Sequence, residues 1–65
     1  MDKRPAFEEF TEVSLVRPVA IHGISMPMGA RGTVMAVYAD QMAYEVEFED
    51  PRHVVLTLEE GDIRR

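Results

Sequence analysis

The sequence predicts an all-β fold, a small antiparallel barrel of about five strands preceded by a short N-terminal arm. The chain has 65 residues, which is enough for only one domain. Strand-like segments recur roughly every ten residues and are separated by glycine, proline and acidic residues. No segment sustains a helical period. We therefore expect an arm over residues 1–10 and one barrel domain over residues 11–65.

The composition excludes several classes of protein. Hydrophobic residues make up 46% of the chain and charged residues 29%, as in folded domains rather than disordered ones. The absence of cysteine excludes disulfides, thiolate zinc sites and cysteine nucleophiles, and it favours a reducing compartment. A net charge of -5 repels phosphates and anionic lipids, which disfavours nucleic-acid and membrane partners.

The N-terminal residues and the hydropathy pattern predict a cytoplasmic protein. No apolar stretch of the kind found in secretory signals follows the basic residues near the N-terminus. The longest uninterrupted apolar run, Val34–Ala39, is far shorter than the roughly 20 residues that cross a bilayer as a helix.

The segment Thr11–Arg17 predicts the first strand. Val13 and Leu15 fall on one face and polar residues on the other, which is the period of two of a half-buried strand. Pro18 then ends the strand because proline cannot donate to a ladder.

The segment Val19–Ala30 predicts a long ordered loop. It contains Gly23, Pro27 and Gly29, a density of turn-forming residues that argues against a helix or a strand. Long loops in compact domains are often functional, so we expect this one to belong to a contact surface.

The next predicted strand, Arg31–Tyr38, is apolar on both faces, as expected of a central strand that is covered on two sides. Strict alternation places Thr33, Met35 and Val37 on one face and Val34, Ala36 and Tyr38 on the other. The outward set must be covered, either by Phe7 and Phe10 of the arm or by a second copy of the chain.

The clearest strand signal lies between residues 43 and 49. Here three large apolar residues alternate with three acids: Tyr44, Val46 and Phe48 with Glu45, Glu47 and Glu49. A slip of one residue would bury all three carboxylates, so the register is strongly fixed.

The rest of the chain predicts a turn, a strand, a second turn and a short last strand. Residues 50–53 contain Pro51 and form the first turn, and Val54–Leu58 is the strand after it. Residues 59–62 favour a single helical or 3₁₀ turn, after which Ile63 is the apolar residue left to pack in the last strand.

Four segments together resemble the bacterial domain-of-unknown-function family 4926, with the likeness covering about residues 10–64. They are Gly32–Tyr38, Ala43–Phe48, Thr57–Glu59 and Asp62–Arg64. The resemblance implies an SH3-like barrel with a distant similarity to the barrel domain of nitrile hydratase β subunits. It implies no activity, because the family has no assigned chemistry. The chain departs from the family at Asp40 and Gln41, where the family usually has a glycine, and in its longer, phenylalanine-rich N-terminus.

Two sets of residues have side chains capable of metal binding or catalysis, but neither has the pattern that predicts such a site. His22 with Met26 and Met28 could bind copper(I), but methionine is more often a packing or protein-contact residue. His22 or His53 could act with Ser25 and Asp40 in a hydrolase, but the chain contains no nucleophile elbow or paired-histidine motif. We therefore expect no enzymatic activity, no metal and no cofactor.

The acidic strand is the stronger candidate for a partner surface. Glu45, Glu47, Glu49 and Asp50 could dock a basic protein segment, although the default for such residues is a solvated face that maintains solubility and discourages edge pairing. Arg17, Arg31 and Arg52 could neutralise part of this strip if they lie across it on neighbouring strands.

The sequence thus predicts a non-enzymatic protein-binding module. Its expected contact residues are His22, Met26 and Met28 of the loop and Glu45, Glu47 and Glu49 of the acidic strand. The partner is a protein of unknown identity, and the domain could also assemble with a second copy. Two alternatives stay open: an accessory subunit of a metalloenzyme and, less favoured, a nucleic-acid-binding barrel.

Overall fold

The computed structural model describes residues 4–38, 40 and 42–65, and it confirms the all-β prediction. The described chain has seven strands rather than about five, and one 3₁₀ turn at Glu60–Asp62. The strands are β1 Glu12–Leu15, β2 Val19–Ile21, β3 Ile24–Met26, β4 Arg31–Tyr38, β5 Ala43–Phe48, β6 Val54–Glu59 and β7 Ile63–Arg64. Within these residues there is no helix of the length and hydropathy needed to cross a membrane.

The strands form an antiparallel sheet of five and a separate hairpin. The order in the sheet is β6-β5-β4-β1-β7, with β4 in the centre as predicted, and the hairpin is β2-β3. This order, with the hairpin between β1 and β4 and the 3₁₀ turn before β7, is consistent with an SH3-like barrel. The described ladder does not close, so β6 and β7 remain as edges that full closure would have hidden.

The prediction of a long loop over Val19–Ala30 is wrong, because most of this segment is the β2-β3 hairpin. Ile21 pairs with Ile24 across a two-residue turn formed by His22 and Gly23. Both turn residues have left-handed backbone angles, with φ of 51° and 78°, and such turns match the twist of paired strands. The glycine that suggested a loop is therefore the residue that permits a tight hairpin.

The prediction of strict alternation along β4 is also wrong, because the strand contains a bulge. Its pairing with β5 shifts between Val34 and Ala36. As a result Val34 and Val37 both pack on the core, while Met35 and Tyr38 are 40% and 42% exposed. The outer face of β4 is therefore only partly covered, rather than covered on both sides as predicted.

The prediction for β5 is confirmed. Tyr44, Val46 and Phe48 are fully buried, and each pairs with an apolar residue of β6. Glu45 and Glu47 between them are half-buried and Glu49 is exposed, as the alternation requires.

Gly32 allows β4 to lie close against this core strand. A Cβ atom at this position would lie 2.7 Å from Val46 Cγ1 and 2.8 Å from the backbone oxygen of Glu47. The close approach of the two strands therefore requires the absence of a side chain here.

The buried residues form one core that includes a residue of the arm. Its members are Phe7, Val13, Leu15, Met26, Val34, Tyr44, Val46, Phe48, Leu56, Leu58 and Ile63. Phe7 is 7% exposed, and its ring meets the ring of Tyr44 edge-on with 5.4 Å between centroids. Phe10 is 69% exposed, so of the two arm phenylalanines only Phe7 joins the core.

Polar contacts fasten the arm beside Phe7. The backbone amide of Ala6 donates to the hydroxyl of Tyr44 at 2.9 Å and to Glu60 Oε2 at 3.0 Å. The guanidinium carbon of Arg65 lies 5.5 Å from the centroid of the Phe7 ring, within the range of a cation–π contact. The arm therefore links the buried end of β5 to the 3₁₀ turn and the C-terminus.

Candidate functional site

The three predicted carboxylates lie on the outer side of the sheet. We call this surface the acidic face and define it by the outward side chains of three neighbouring strands and of the connection between β5 and β6. Its residues are Thr33, Met35, Tyr38, Glu45, Glu47, Glu49, His53, Val55 and Thr57. Glu47 lies between Thr33 and Val55, and Glu45 lies between Ala36 and Thr57. The carboxylates thus occupy the middle strand, with apolar and hydroxyl side chains on either side.

Exposed apolar side chains border the carboxylates. Val55 is 49% exposed, Tyr38 42% and Met35 40%. The acidic face therefore offers both negative charge and exposed apolar area.

The arginines that could have neutralised the acidic strip bond elsewhere. Arg31 pairs with Glu12 at 3.1 Å and with the Ser14 hydroxyl at 2.9 Å, and Arg17 pairs with Asp62 at 3.2 Å. Within residues 4–38, 40 and 42–65, no arginine forms an ion pair with the carboxylates of the acidic face. Their charge is therefore left for water, for His53 or for a partner.

His53 is the one basic group that contacts the acidic face within the described residues. Its Nε2 lies 2.8 Å from Glu47 Oε2. The hydrogen bond to Glu47, together with the charge of Glu49, raises the pKa of His53 above 6.5. The Glu45 carboxylate likewise raises the pKa of the Tyr38 hydroxyl above 10.0. Both shifts have the sign expected of a surface with negative potential.

We expect Glu47→Gln to lower the pKa of His53, as measured by an NMR titration of the imidazole. A pKa raised in the folded state means that the His53–Glu47 contact stabilises the fold below about pH 6.5 and is lost as the pH rises through the folded-state pKa. Glu8→Gln is the control, because it removes the same charge from the exposed arm. Equal midpoints in wild type and Glu47→Gln would contradict the assignment.

The same group is the part of the acidic face that could hold a metal ion. Glu47, Glu49 and His53 each offer one ligand atom, and these atoms lie within 4.8 Å of one another. Carboxylate oxygen and imidazole nitrogen suit zinc and similar ions. However, Glu49 and His53 are exposed, and the imidazole already bonds Glu47. The contacts are those of a surface ion pair, and the expectation of no metal stays a prediction.

The three candidate residues of the predicted loop do not share one surface with the carboxylates. His22 lies at the exposed tip of the β2-β3 turn. Met26 is the last residue of β3 and is only 1% exposed. It therefore belongs to the core and not to a contact surface, contrary to the prediction. Met28 is 67% exposed, beside a depression lined by Arg31, Arg64 and Arg65. Met28 therefore has basic rather than acidic neighbours.

Sequence reasoning missed six residues of the acidic face: Thr33, Met35, Tyr38, His53, Val55 and Thr57. Val55 could have been found, because it alternates with Leu56 and Leu58 in the same way as the glutamates of β5 alternate with their apolar neighbours. Met35 faces outward because it alternates with buried Val34, whereas the outward position of Tyr38 follows from the bulge in β4, for which the sequence carries no clear signal.

No protein-family model, curated protein or solved structure matches this chain. The resemblance to the domain-of-unknown-function family therefore stays a prediction. What the protein does has to be inferred from the acidic face itself.

Proposed function

We propose that this chain is a small non-enzymatic protein-binding module that binds an extended cationic segment of another protein on the acidic face. One observation carries the proposal. The outward carboxylates of Glu45 and Glu47, with Glu49 beyond the strand end, lie between strands β4 and β6, which carry the exposed apolar residues Met35 and Val55, and no arginine of the described residues forms an ion pair with them.

The spacing of the carboxylates favours an extended partner. Side chains two residues apart on one face of a strand are separated by about 6.6 Å. A bound segment in an extended conformation repeats its own side chains at the same interval, so alternate arginine or lysine residues can each meet one carboxylate. Opposite charges of this kind speed association and exclude acidic partners.

The apolar border favours a partner that carries apolar as well as basic side chains. Tyr38 presents an aromatic ring beside Glu45, where an arginine can contact the ring and the carboxylate together. Met35 and Val55 can cover apolar side chains of the segment, since methionine adapts its shape to different partners.

The contacts at the acidic face support binding rather than catalysis. His53 Nε2 bonds the Glu47 carboxylate, and among the described residues no serine or threonine hydroxyl forms a hydrogen bond with this histidine, as the activation of a nucleophile would require.

The test is a titration of the isotope-labelled protein with a ten-residue peptide of alternating arginine and leucine, followed by NMR. We expect shift changes confined to the acidic face and an affinity that falls as salt is raised, because exposed charges are screened. The same peptide with glutamine in place of arginine should not bind. Shift changes spread over the whole surface, or centred away from β4–β6, would overturn the proposal.

Charge-matched variants distinguish binding at the acidic face from a general attraction to the net negative charge of the protein. Glu45→Gln with Glu49→Gln removes two charges from the face, and Glu8→Gln with Glu9→Gln removes two charges from the exposed arm. At about 0.5–0.7 kcal/mol for each exposed ion pair, the first variant should bind about five- to tenfold more weakly. An equal loss in both variants would mean that binding depends only on the net charge of -5.

A further inference from the structure

The edge strand β6 is open to pairing. Its six residues, Val54–Glu59, pair in unbroken register with β5 on one side. Among the described residues, no backbone hydrogen bond from another element reaches its other side. The strand also lacks lysine, arginine, proline and a bulge, which are the features that usually protect an edge. The opposite edge, β7, has only two residues and is followed by Arg65.

The backbone groups on the open side of β6 can be identified. The amide of Glu59 donates to Asp62 Oδ2 at 2.9 Å, so it points away from β5. Backbone direction alternates along an antiparallel strand, and the amides and carbonyls of Val55 and Thr57 therefore point outward as well. Both residues are exposed. These four groups can bond only to water or to another strand.

We propose that β6 pairs antiparallel with β6 of a second copy of this chain, about a two-fold axis that passes through Leu56. Val55 then lies opposite the partner's Thr57, and their outward amides and carbonyls form hydrogen bonds in both directions. The two five-stranded sheets become one continuous sheet, and the exposed side chain of Val55 is covered in each copy.

Charge favours one register of this pairing and favours a second copy as the occupant. With the axis at Leu56, His53 lies opposite the partner's Glu59, and Arg52 lies next to the partner's Glu60. The symmetry repeats both pairs at the other end of the strand. A shift of two residues in either direction would instead place His53 opposite the partner's Gly61 or the partner's Thr57. The first of these shifts keeps one unlike pair, Arg52 with the partner's Asp62, and the second keeps none, whereas the central register forms two unlike pairs at each end.

The dimer does not require the proposed binding of a cationic segment, although it covers Val55, which is also part of the acidic face. Residues that face each other in an antiparallel pair point to the same side of the sheet, so the axis is perpendicular to the sheet. Both acidic faces then lie on one surface of the dimer. Loss of peptide binding would leave the pairing of β6 untouched, and a monomeric protein could still bind the peptide.

Sedimentation equilibrium of the full chain, from about 1 to 500 µM, tests the pairing. We expect a monomer–dimer equilibrium with a dissociation constant in the micromolar range, because one edge pairing is small and two copies of net charge -5 repel each other. NMR at both ends of this range should show that the amides of Val55 and Thr57 exchange more slowly in the dimer. A protein that is strictly monomeric at 500 µM would overturn the proposal.

Two pairs of variants locate the interface. Val55→Lys should weaken dimerisation by at least about tenfold, whereas Met35→Lys adds the same charge to the same face away from the edge and should change it little. Arg52→Glu should weaken it more than Arg4→Glu in the exposed arm. Circular dichroism confirms that each variant is folded. A dimer that survives both Val55→Lys and Arg52→Glu would use another surface, which would also overturn the proposal.

Discussion

Phe48→Ala is expected to leave much of the chain unfolded in water at 25 °C. The side chain of Phe48 is fully buried in the core, and truncation of such a residue costs about 3–5 kcal/mol. A domain of this size has a free energy of unfolding of only about 3–5 kcal/mol in total. Urea denaturation followed by circular dichroism measures the loss.

Two further variants calibrate this prediction. Phe48→Leu keeps most of the buried volume and should cost less than about 1.5 kcal/mol, so it reports on the site even if Phe48→Ala does not fold. Glu49→Ala changes the exposed neighbour and should fall within about 0.5 kcal/mol of wild type. A loss below about 1 kcal/mol in Phe48→Ala would contradict the burial of this ring.

Phe7→Ala is expected to lower the free energy of unfolding by about 3 kcal/mol, the lower end of the range for a buried phenylalanine. The substitution removes a side chain that is 7% exposed, its edge-on contact with Tyr44, and the aromatic surface beneath Arg65. A loss of this size would mean that the arm stabilises the domain by adding a buried side chain to the core, as the strands do. Urea denaturation again provides the measurement.

The neighbouring Phe10→Ala is a matched control for this second prediction. It is the same substitution three residues further along the arm, at a side chain that is 69% exposed. We expect a change within about 0.5 kcal/mol. Equal losses in the two variants, or a wild-type stability in a chain without residues 1–9, would mean that the arm does not pack as described.

The parts of the fold that could be predicted are those in which side-chain alternation alone decides the structure. Residues 44–48 alternate large apolar with acidic residues, and a register shifted by one residue would bury the acids. The 3₁₀ turn at Glu60–Asp62 and the short strand that contains Ile63 were predicted for similar local reasons.

The parts that could not be predicted depend on backbone geometry. The turn at His22 and Gly23 uses two left-handed residues, and the same glycine is equally compatible with a loop. The bulge between Val34 and Ala36 reverses the faces of the residues that follow it. No single residue type in the sequence predicts such a bulge. Met26 was placed on a contact surface for the first reason, and Val37 and Tyr38 were assigned to the wrong faces for the second.

The candidate site likewise has one part that alternation predicts and another part that it does not. The alternation of apolar and acidic residues predicted that the carboxylates of Glu45 and Glu47 face outward, and the structure confirms this orientation. Their counter-charge was not predictable, because Arg31 bonds Glu12 and Ser14 of the adjacent strand while His53 reaches Glu47 from a turn. Such pairings depend on which strands are neighbours, and that information is absent from any one segment of the sequence.

The register between β5 and β6 is the most direct test, since both the core and the acidic face depend on it. Backbone NOE contacts across the two strands should pair Glu47 with Val55 and Phe48 with Val54. Contacts displaced by one residue would turn Tyr44, Val46 and Phe48 toward water. That pattern, or helical contacts between successive amides over residues 43–48, would contradict the fold and the acidic face together.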